Sequence, residues 1–244
     1  MVSPLNDLVG RWVASTGIDP SLAPTSAALT ARFARRPCPC RPGADPRRVD
    51  AWDRRHGFPL PASLRAWLVL SDGFYIDEAP LIHPLCAIGP MIPFALVPDL
   101  VVQPESWFEL GNPNVETICI DLAYRWPGGD CPIFTSGDDQ SQSRPRIIAP
   151  GFERWFLELL RRGGREYWFE PGFVDLGDPW IEHRRHTPAP PLSDRLRRLA
   201  PHVLPLMRPG ADDRSIASSL GISRGDVEAI FRHLQHGSTS FAGP

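Results

Sequence analysis

The stretch "LPASLRAWLVLSDGF", residues 60–74, decides how the chain is read. Pro61 stands where a first helical turn accepts proline, because the N–H at that position has no partner within the helix. Leu64, Trp67 and Leu68 follow at the spacing of one helical face. Gly73 sits where a left-handed terminating residue is expected. Asp72, just before it, has two readings. It is a turn residue that holds a nearby backbone group, or it is the first residue of a surface that a partner reads.

Upstream, Asp45-Pro46 forms a helix start, a capping carboxylate followed by proline at the first helical position. That helix turns Val49 and Trp52 inward and ends before "HGFPLP". Residues 4–15 carry Leu5, Leu8, Val9, Trp12 and Val13 on one face. A second helix is expected over 25–35, and "RRPCPCRPGADP" reads as a loop. Downstream, residues 75–150 change character. The β-rich runs "AIGPMIPFAL", "VETICI", "CPIFTS" and "RIIA" are separated by turns such as "RWPGGD". "FERWFLELLRR", 152–162, is the most periodic helix, with Phe152, Trp155, Phe156, Leu159 and Leu160 on one face and Gly163-Gly164 as its stop. Helices, then strands, then a helix make an α+β pattern, a mixed and mainly antiparallel sheet flanked by helices.

Residues 176–192 are proline-rich and read as a stiff linker. Beyond it a small all-α, tri-helical domain is expected. Its first helix, over 193–206, is interrupted by Pro201 and Pro205. Its second is capped by Asp212 or Asp213 and buries Ile216, Ala217 and Leu220. Its third is capped by Ser223 and carries Val227, Ile230, Phe231 and Leu234. The expected division is 1–175, 176–192 and 193–244.

The chain has 244 residues, enough for one large domain with a small companion. At 42% hydrophobic and 22% charged residues it has the composition of a soluble protein with a core. No apolar run approaches the roughly 20 residues that span a bilayer, so no membrane partner is expected. "MVSPLNDLVGRW" has no basic stretch before an apolar run, so no signal peptide and a cytoplasmic address are expected. The net charge of −2 argues against a global grip on nucleic acid and leaves room for a local patch. All 26 basic residues are Arg, which excludes lysine chemistry such as a Schiff base or a P-loop. The five cysteines, an odd number, point to reduced thiols. Cys38 and Cys40 resemble half of a metal site, but no second Cys/His pair at ligand spacing follows, so no metal and no cofactor is expected.

The segment "DPRRVDAWDRRHGFPLPASLRAWLVLSDGF" resembles the front of the SMI1/KNR4 (SUKH) superfamily, through Trp52, Gly57, Leu60, Pro61, Leu64, Leu68, Asp72 and Gly73. "ICIDL" and "CPIFTSG" look like that family's central strands, and "IIAPGFERWFLELL" like its closing helix, with Gly151-Phe152 where Ser-Phe is usual. The resemblance covers roughly residues 45–170. It implies a single mixed sheet flanked by helices, and a binding protein rather than an enzyme. Many bacterial members are immunity proteins that block a cognate toxin, often a nuclease or deaminase. Residues 192–235 resemble a LuxR-type helix-turn-helix through Gly210, Ile216, Ala217, Leu220, Gly221, Ile222, Ser223, Val227 and Leu234. By that resemblance the last helix reads DNA, with Ser223, Arg224 and Arg232 as contacts. Asp226 and Glu228 oppose it, and 192–244 holds seven Arg against five carboxylates. A helical module for dimerisation or partner docking is the other reading.

No Gly-x-Ser-x-Gly elbow and no phosphate loop appears, so no catalytic residue is assigned. "HRRH" at 183–186 has the i, i+3 spacing of two metal ligands but reads as a solvated linker. Acidic residues cluster in loops. Asp72, Asp77 and Glu78 flank Phe74-Tyr75, Asp130 follows "WPGG", and Asp138 and Asp139 lie in "SGDDQSQS". With Tyr75 and two tryptophans beside turns, Trp107 and Trp126, they suggest an acidic, aromatic-dotted surface suited to a basic toxin. Each acid also reads as a turn residue, and each tryptophan as core. The function expected is an intracellular immunity protein acting by stoichiometric occlusion. The alternative is a transcriptional regulator with a partner-sensing domain and a DNA-binding tail.

Overall fold

The computed structural model describes residues 4–33, 39–76, 78–91, 104–113, 116–126, 130–137, 144–187, 192–206 and 213–237. It forms two compact units. One comprises the described residues up to Met91 together with Ser106–Pro179, and the other residues 104–105 with the described residues from Trp180 onward. The protein is mixed α and β with two antiparallel sheets.

In the first unit, α1 spans Pro4–Thr16 and α2 spans Ser26–Phe33. Helix α3, Pro46–His56, begins as its sequence dictates: Asp45 accepts the Arg47 N–H, and Gly57 closes the helix at φ +73°. Helix α4 is Ala62–Leu70, with Pro61 as its N-cap residue. The expected stop at Gly73 is displaced, because α4 ends at Ser71. There the Ser71 hydroxyl accepts the Arg41 N–H and donates to the Gly73 carbonyl, so the chain leaves the helix two residues early. Gly73 does take a positive φ, +108°, but it serves the turn into a strand rather than the helix end.

Two strands follow, β1 (Phe74–Ile76) and β2 (Ala79–Ile82), forming a hairpin. A five-stranded antiparallel sheet is built in chain order from β3 (Gly89–Pro90), β4 (Trp107–Gly111), β5 (Ile118–Asp121), β6 (Ile133–Thr135) and β7 (Arg146–Ala149). The hairpin joins this sheet at the far end of β4: His83 N–H donates to the Leu110 carbonyl and Asn112 N–H to that of Pro80. Gly111 makes the junction possible, since a Cβ there would sit 2.2 Å from the Leu81 oxygen. On the outer edge, β7 is closed by a short return of the chain. Leu176 N–H donates to the Ile147 carbonyl, and Ile147 N–H donates to the Gly177 carbonyl.

Helix α5, Phe152–Arg161, lays its apolar stripe into the centre of the unit. Trp12, Trp67, Phe74, Phe152, Trp155 and Phe156 are all fully buried there. Phe156 has its ring centre 4.5 Å from that of Trp67, 5.2 Å from Phe74 and 5.3 Å from Trp12, mostly edge to face. Such pairs add about 0.5–1.5 kcal/mol each beyond the burial itself. Helix α1 is therefore part of the core rather than an extension of it. The sheet is buried on both faces. Phe108, Leu110, Ile118, Ile120, Ile133 and Ile148 join the helices, while Trp107, Cys119, Phe134 and Ile147 are buried on the reverse. The register confirms the second set, pairing Cys119 with Phe134 and Phe134 with Ile147.

The expected linker 176–192 is not uniformly extended. It contains helix α6, Pro179–His186. Pro179 occupies the first helical position, where proline starts a helix instead of stiffening a tether. Arg185 pairs with Glu182 at 2.6 Å one turn back. Beyond it come α7 (Asp194–Val203), a 3₁₀ turn at Leu204–Leu206, α8 (Asp213–Leu220) and α9 (Arg224–Gly237). They share a second core of Leu192, Ala200, Val203, Ile216, Ala217, Val227, Ile230 and Phe231.

Candidate functional site

The β1–β2 hairpin carries the most telling of the expected contact residues. Glu78, in its two-residue connection, is exposed and has φ +72°, the one positive φ among described residues that are not glycine. Two-residue hairpin loops demand that left-handed backbone, normally supplied by Gly or Asn, and a Glu there costs roughly 1 kcal/mol. Tyr75, in β1, is half-buried. The Arg41 guanidinium donates to its hydroxyl at 3.1 Å and lies 5.0 Å from the ring centre. Arg41 therefore places a cation inside the surface that the sequence marks as acidic.

Asp72 finishes a turn. Its carboxylate accepts the Leu85 N–H at 2.6 Å, tying the end of α4 to the chain beyond β2. Asp130 is similarly engaged. It pairs with the Arg125 guanidinium and accepts the Cys131 N–H at 2.9 Å. Trp126 is half-buried in the same turn, its N–H on the Asp130 carbonyl at 2.9 Å. Trp107 is a correction. It is only 2% exposed, so it is a core residue of the reverse sheet face and not a surface anchor. Its indole N–H donates to Asp121 at 2.9 Å. Asp77, Asp138 and Asp139 lie outside the described residues.

The register shows which of these residues come together. Trp126 and Asp130 lie in the turn between β5 and β6, at the end where Trp107 pairs with Asp121. The hairpin docks at the opposite end, beside Gly111 and Ile118. The strands between span about 14–17 Å at roughly 3.4 Å per residue. Tyr75 and Glu78 thus form one locus and Trp126 with Asp130 another.

Sequence reasoning passed over Asp121. It is 1% exposed and accepts the Ser106 hydroxyl at 2.7 Å and the Ala123 N–H at 3.0 Å, besides the Trp107 indole. An acid at the end of the apolar run "ICID" is the signal for it: a buried carboxylate must be supplied with donors. The thiols on and beside the sheet are poor nucleophiles. Burial, with Glu109 adding to it, pushes Cys119 well above the ordinary thiol range, and burial pushes Cys131 up to about 12. Among the described residues no group of three or more His, Cys, Asp or Glu is placed to hold a metal ion. Among them, too, no helix is long and apolar enough to cross a membrane.

In the second unit, Ser223 and Asp226 form a reciprocal cap on α9. The Asp226 N–H donates to the Ser223 hydroxyl and the Ser223 N–H to the Asp226 carboxylate, both at 3.1 Å. Hydrogen bonds from Ser223 to the Asp226 carboxylate, its backbone N–H first and its side chain second, hold that carboxyl below its ordinary pKa. Asp226, counted by sequence as a charge facing phosphate, is thus committed to its own helix. Ser223 and Arg224 are exposed at the start of α9, after a turn through Gly221; Arg232 lies further along it, and its side chain is outside the described residues. No family model matches the chain, and no curated protein matches it.

Proposed function

We propose that the first unit is a SUKH-type binding module, an immunity protein that neutralises a cognate bacterial toxin of the nuclease or deaminase class by occluding it one to one. The order α3, Gly57, Leu60-Pro61, α4, Asp72-Gly73, antiparallel sheet and α5 supports the resemblance drawn from sequence. The observation that carries the binding reading is Glu78. An exposed acid held in a costly backbone conformation at a hairpin tip is stability given up for something other than folding. Its negative charge, with Tyr75 behind it, suits the basic substrate cleft of a toxin that acts on nucleic acid. The test is titration of the protein with the toxin domain encoded beside it, alongside growth of cells expressing that toxin. A one-to-one complex, rescue of growth, and a loss of at least tenfold in affinity for Glu78→Arg are expected. No complex and no rescue overturns the proposal.

The cap on α9 favours a second reading, a regulator whose α8 and α9 act as a helix-turn-helix. With Asp226 turned to its own backbone, Ser223 and Arg224 are left at the leading end of α9, where such a motif meets base edges. Arg224→Ala then weakens duplex binding, and undetectable binding at low ionic strength refutes this reading.

A further inference from the structure

Helix α3 has a face that none of these roles uses. At 100° per residue, Arg47, Arg48, Arg54 and Arg55 fall within an arc of about 120°, with Ala51 at its centre. All four arginines are exposed. The opposite side of the helix is fixed in the core by Val49 and by Trp52, whose indole donates to the Ile88 carbonyl at 2.9 Å. The acids of the helix pair with another element rather than with these arginines. Asp53 pairs with Arg65 of α4 at 2.7 Å and also accepts the Leu60 N–H, and Asp50 pairs with the same Arg65. Among the described residues no carboxylate pairs with any of the four.

Two features separate this face from an ordinary solvated one. First, Arg47 and Arg48 occupy the first turn, the positive end of the helix dipole, where cations are unfavourable. Helix stability explains Arg54 and Arg55 in the last turn but not these two. Second, the arc holds no aromatic or large aliphatic side chain. A protein interface draws its affinity from buried anchors of that kind, whereas a polyanion needs only closely approaching cations. Ala51 allows that approach, and the two arginine pairs stand about 10.5 Å apart along the axis.

We infer that the Arg47/Arg48/Arg54/Arg55 face of α3 binds the phosphodiester backbone of a double-stranded nucleic acid without reading its sequence. The net charge of −2 hides this local patch of four cations. Each phosphate neutralised adds about 0.9 to the salt slope of binding to B-DNA, so four contacts give about 3.6. A slope of 3.6 weakens binding about fiftyfold between 50 and 150 mM salt.

The test uses the full chain and fluorescent 24-bp duplexes, one DNA and one RNA, followed by anisotropy from 50 to 150 mM NaCl. The wild type is expected to bind at 50 mM and weaken by at least about fiftyfold across that range. Arg47→Gln/Arg48→Gln/Arg54→Gln/Arg55→Gln is expected to lose at least tenfold in affinity at 50 mM and about 3.6 of the slope. Gln matches Arg in helix propensity, so the variant's far-UV circular dichroism should equal the wild type's. Arg54→Gln/Arg55→Gln, which keeps the first turn intact, should lose about half of the slope. Arg224→Ala leaves the loss caused by the α3 substitutions unchanged, which separates this face from α9. Preference for one duplex names the natural ligand, and equal binding assigns it to backbone charge alone; both support the inference. Wild-type binding by the quadruple variant overturns it. So does absence of wild-type binding at 50 mM, or displacement of the duplex by polyglutamate at equal charge.

Discussion

Trp12→Ala tests whether α1 belongs to the fold or merely precedes it. The indole is 0% exposed and has its ring centre 5.3 Å from that of Phe156, 5.9 Å from Trp67 and 6.0 Å from Phe152. Its N–H donates to the Ser63 carbonyl at 2.8 Å. Truncating a buried Trp costs about 3–5 kcal/mol, and leaving a buried carbonyl without its donor adds about 1 kcal/mol. The expected loss is thus about 4–6 kcal/mol, against a typical total of about 5–15 kcal/mol. Trp12→Phe, which keeps the ring contacts and loses the hydrogen bond, should cost roughly half as much. Urea titration followed at 222 nm reads the loss as an earlier transition of the first unit. A chain starting at residue 18 also loses Leu5, Val9 and Val13, roughly 1.5–3 kcal/mol each, and should not fold that unit at all. A loss below 1 kcal/mol for Trp12→Ala, or an unshifted cooperative transition in the shortened chain, refutes the assignment of α1 to the core.

Glu78→Gly should raise stability by about 1 kcal/mol by relieving the left-handed backbone, while weakening the complex proposed above; an unchanged melting midpoint contradicts the argument from strain. Ser223→Ala should destabilise the second unit by about 1 kcal/mol through loss of the α9 cap, seen as an earlier melt of that unit alone. Gly111→Ala should prevent the hairpin from docking on β4, and chemical shifts of Leu81 and His83 indistinguishable from wild type would rule this out. Cys131 keeps its proton up to about 12 in the folded chain, whereas the unfolded chain releases it near the ordinary thiol value of 9.0. The unfolded state therefore binds fewer protons between those limits, and stability is intact below pH 9 and falls as pH rises above it. Cys131→Ser should flatten that decline in urea midpoints measured from pH 8 to 11.

The starts of α3 and α4 and the end of α3 were readable because they rest on local chemistry. Asp45-Pro46, Gly57 and Pro61 announce α3 and α4, and the stripe from Phe152 to Leu160 announces α5. The hairpin and β4 were not readable. Strand β2 contains Pro80, and β4, "WFELG", lacks a contrast of period two because both faces of its sheet are buried. Trp107 was open to either assignment for the same reason. Trp126 and Asp130 fall apart from Tyr75 and Glu78 for a different one: loop composition says nothing about which end of a sheet a loop occupies, and the β4–β5 register decides that. The arginine face of α3 is written in the i, i+7 spacing of Arg47 with Arg54 and of Arg48 with Arg55, but a net charge summed over the whole chain averages it away.

The closure of β7 by Leu176 and Gly177 limits how any partner can engage the first unit. A common way to capture an extended peptide is to let it join a sheet as an extra strand, which requires a free ladder of N–H and C=O groups. Here Ile147 already spends both of its groups on the returning chain. The opposite margin, β3, is two residues long and includes Pro90, which has no N–H to give. Among the described residues, neither margin of the sheet is open for strand addition. Among the described residues, the five-stranded sheet therefore offers a partner side chains rather than backbone, which makes recognition there sensitive to point substitution. The same blunting protects the folded chain from growing edge to edge into aggregates.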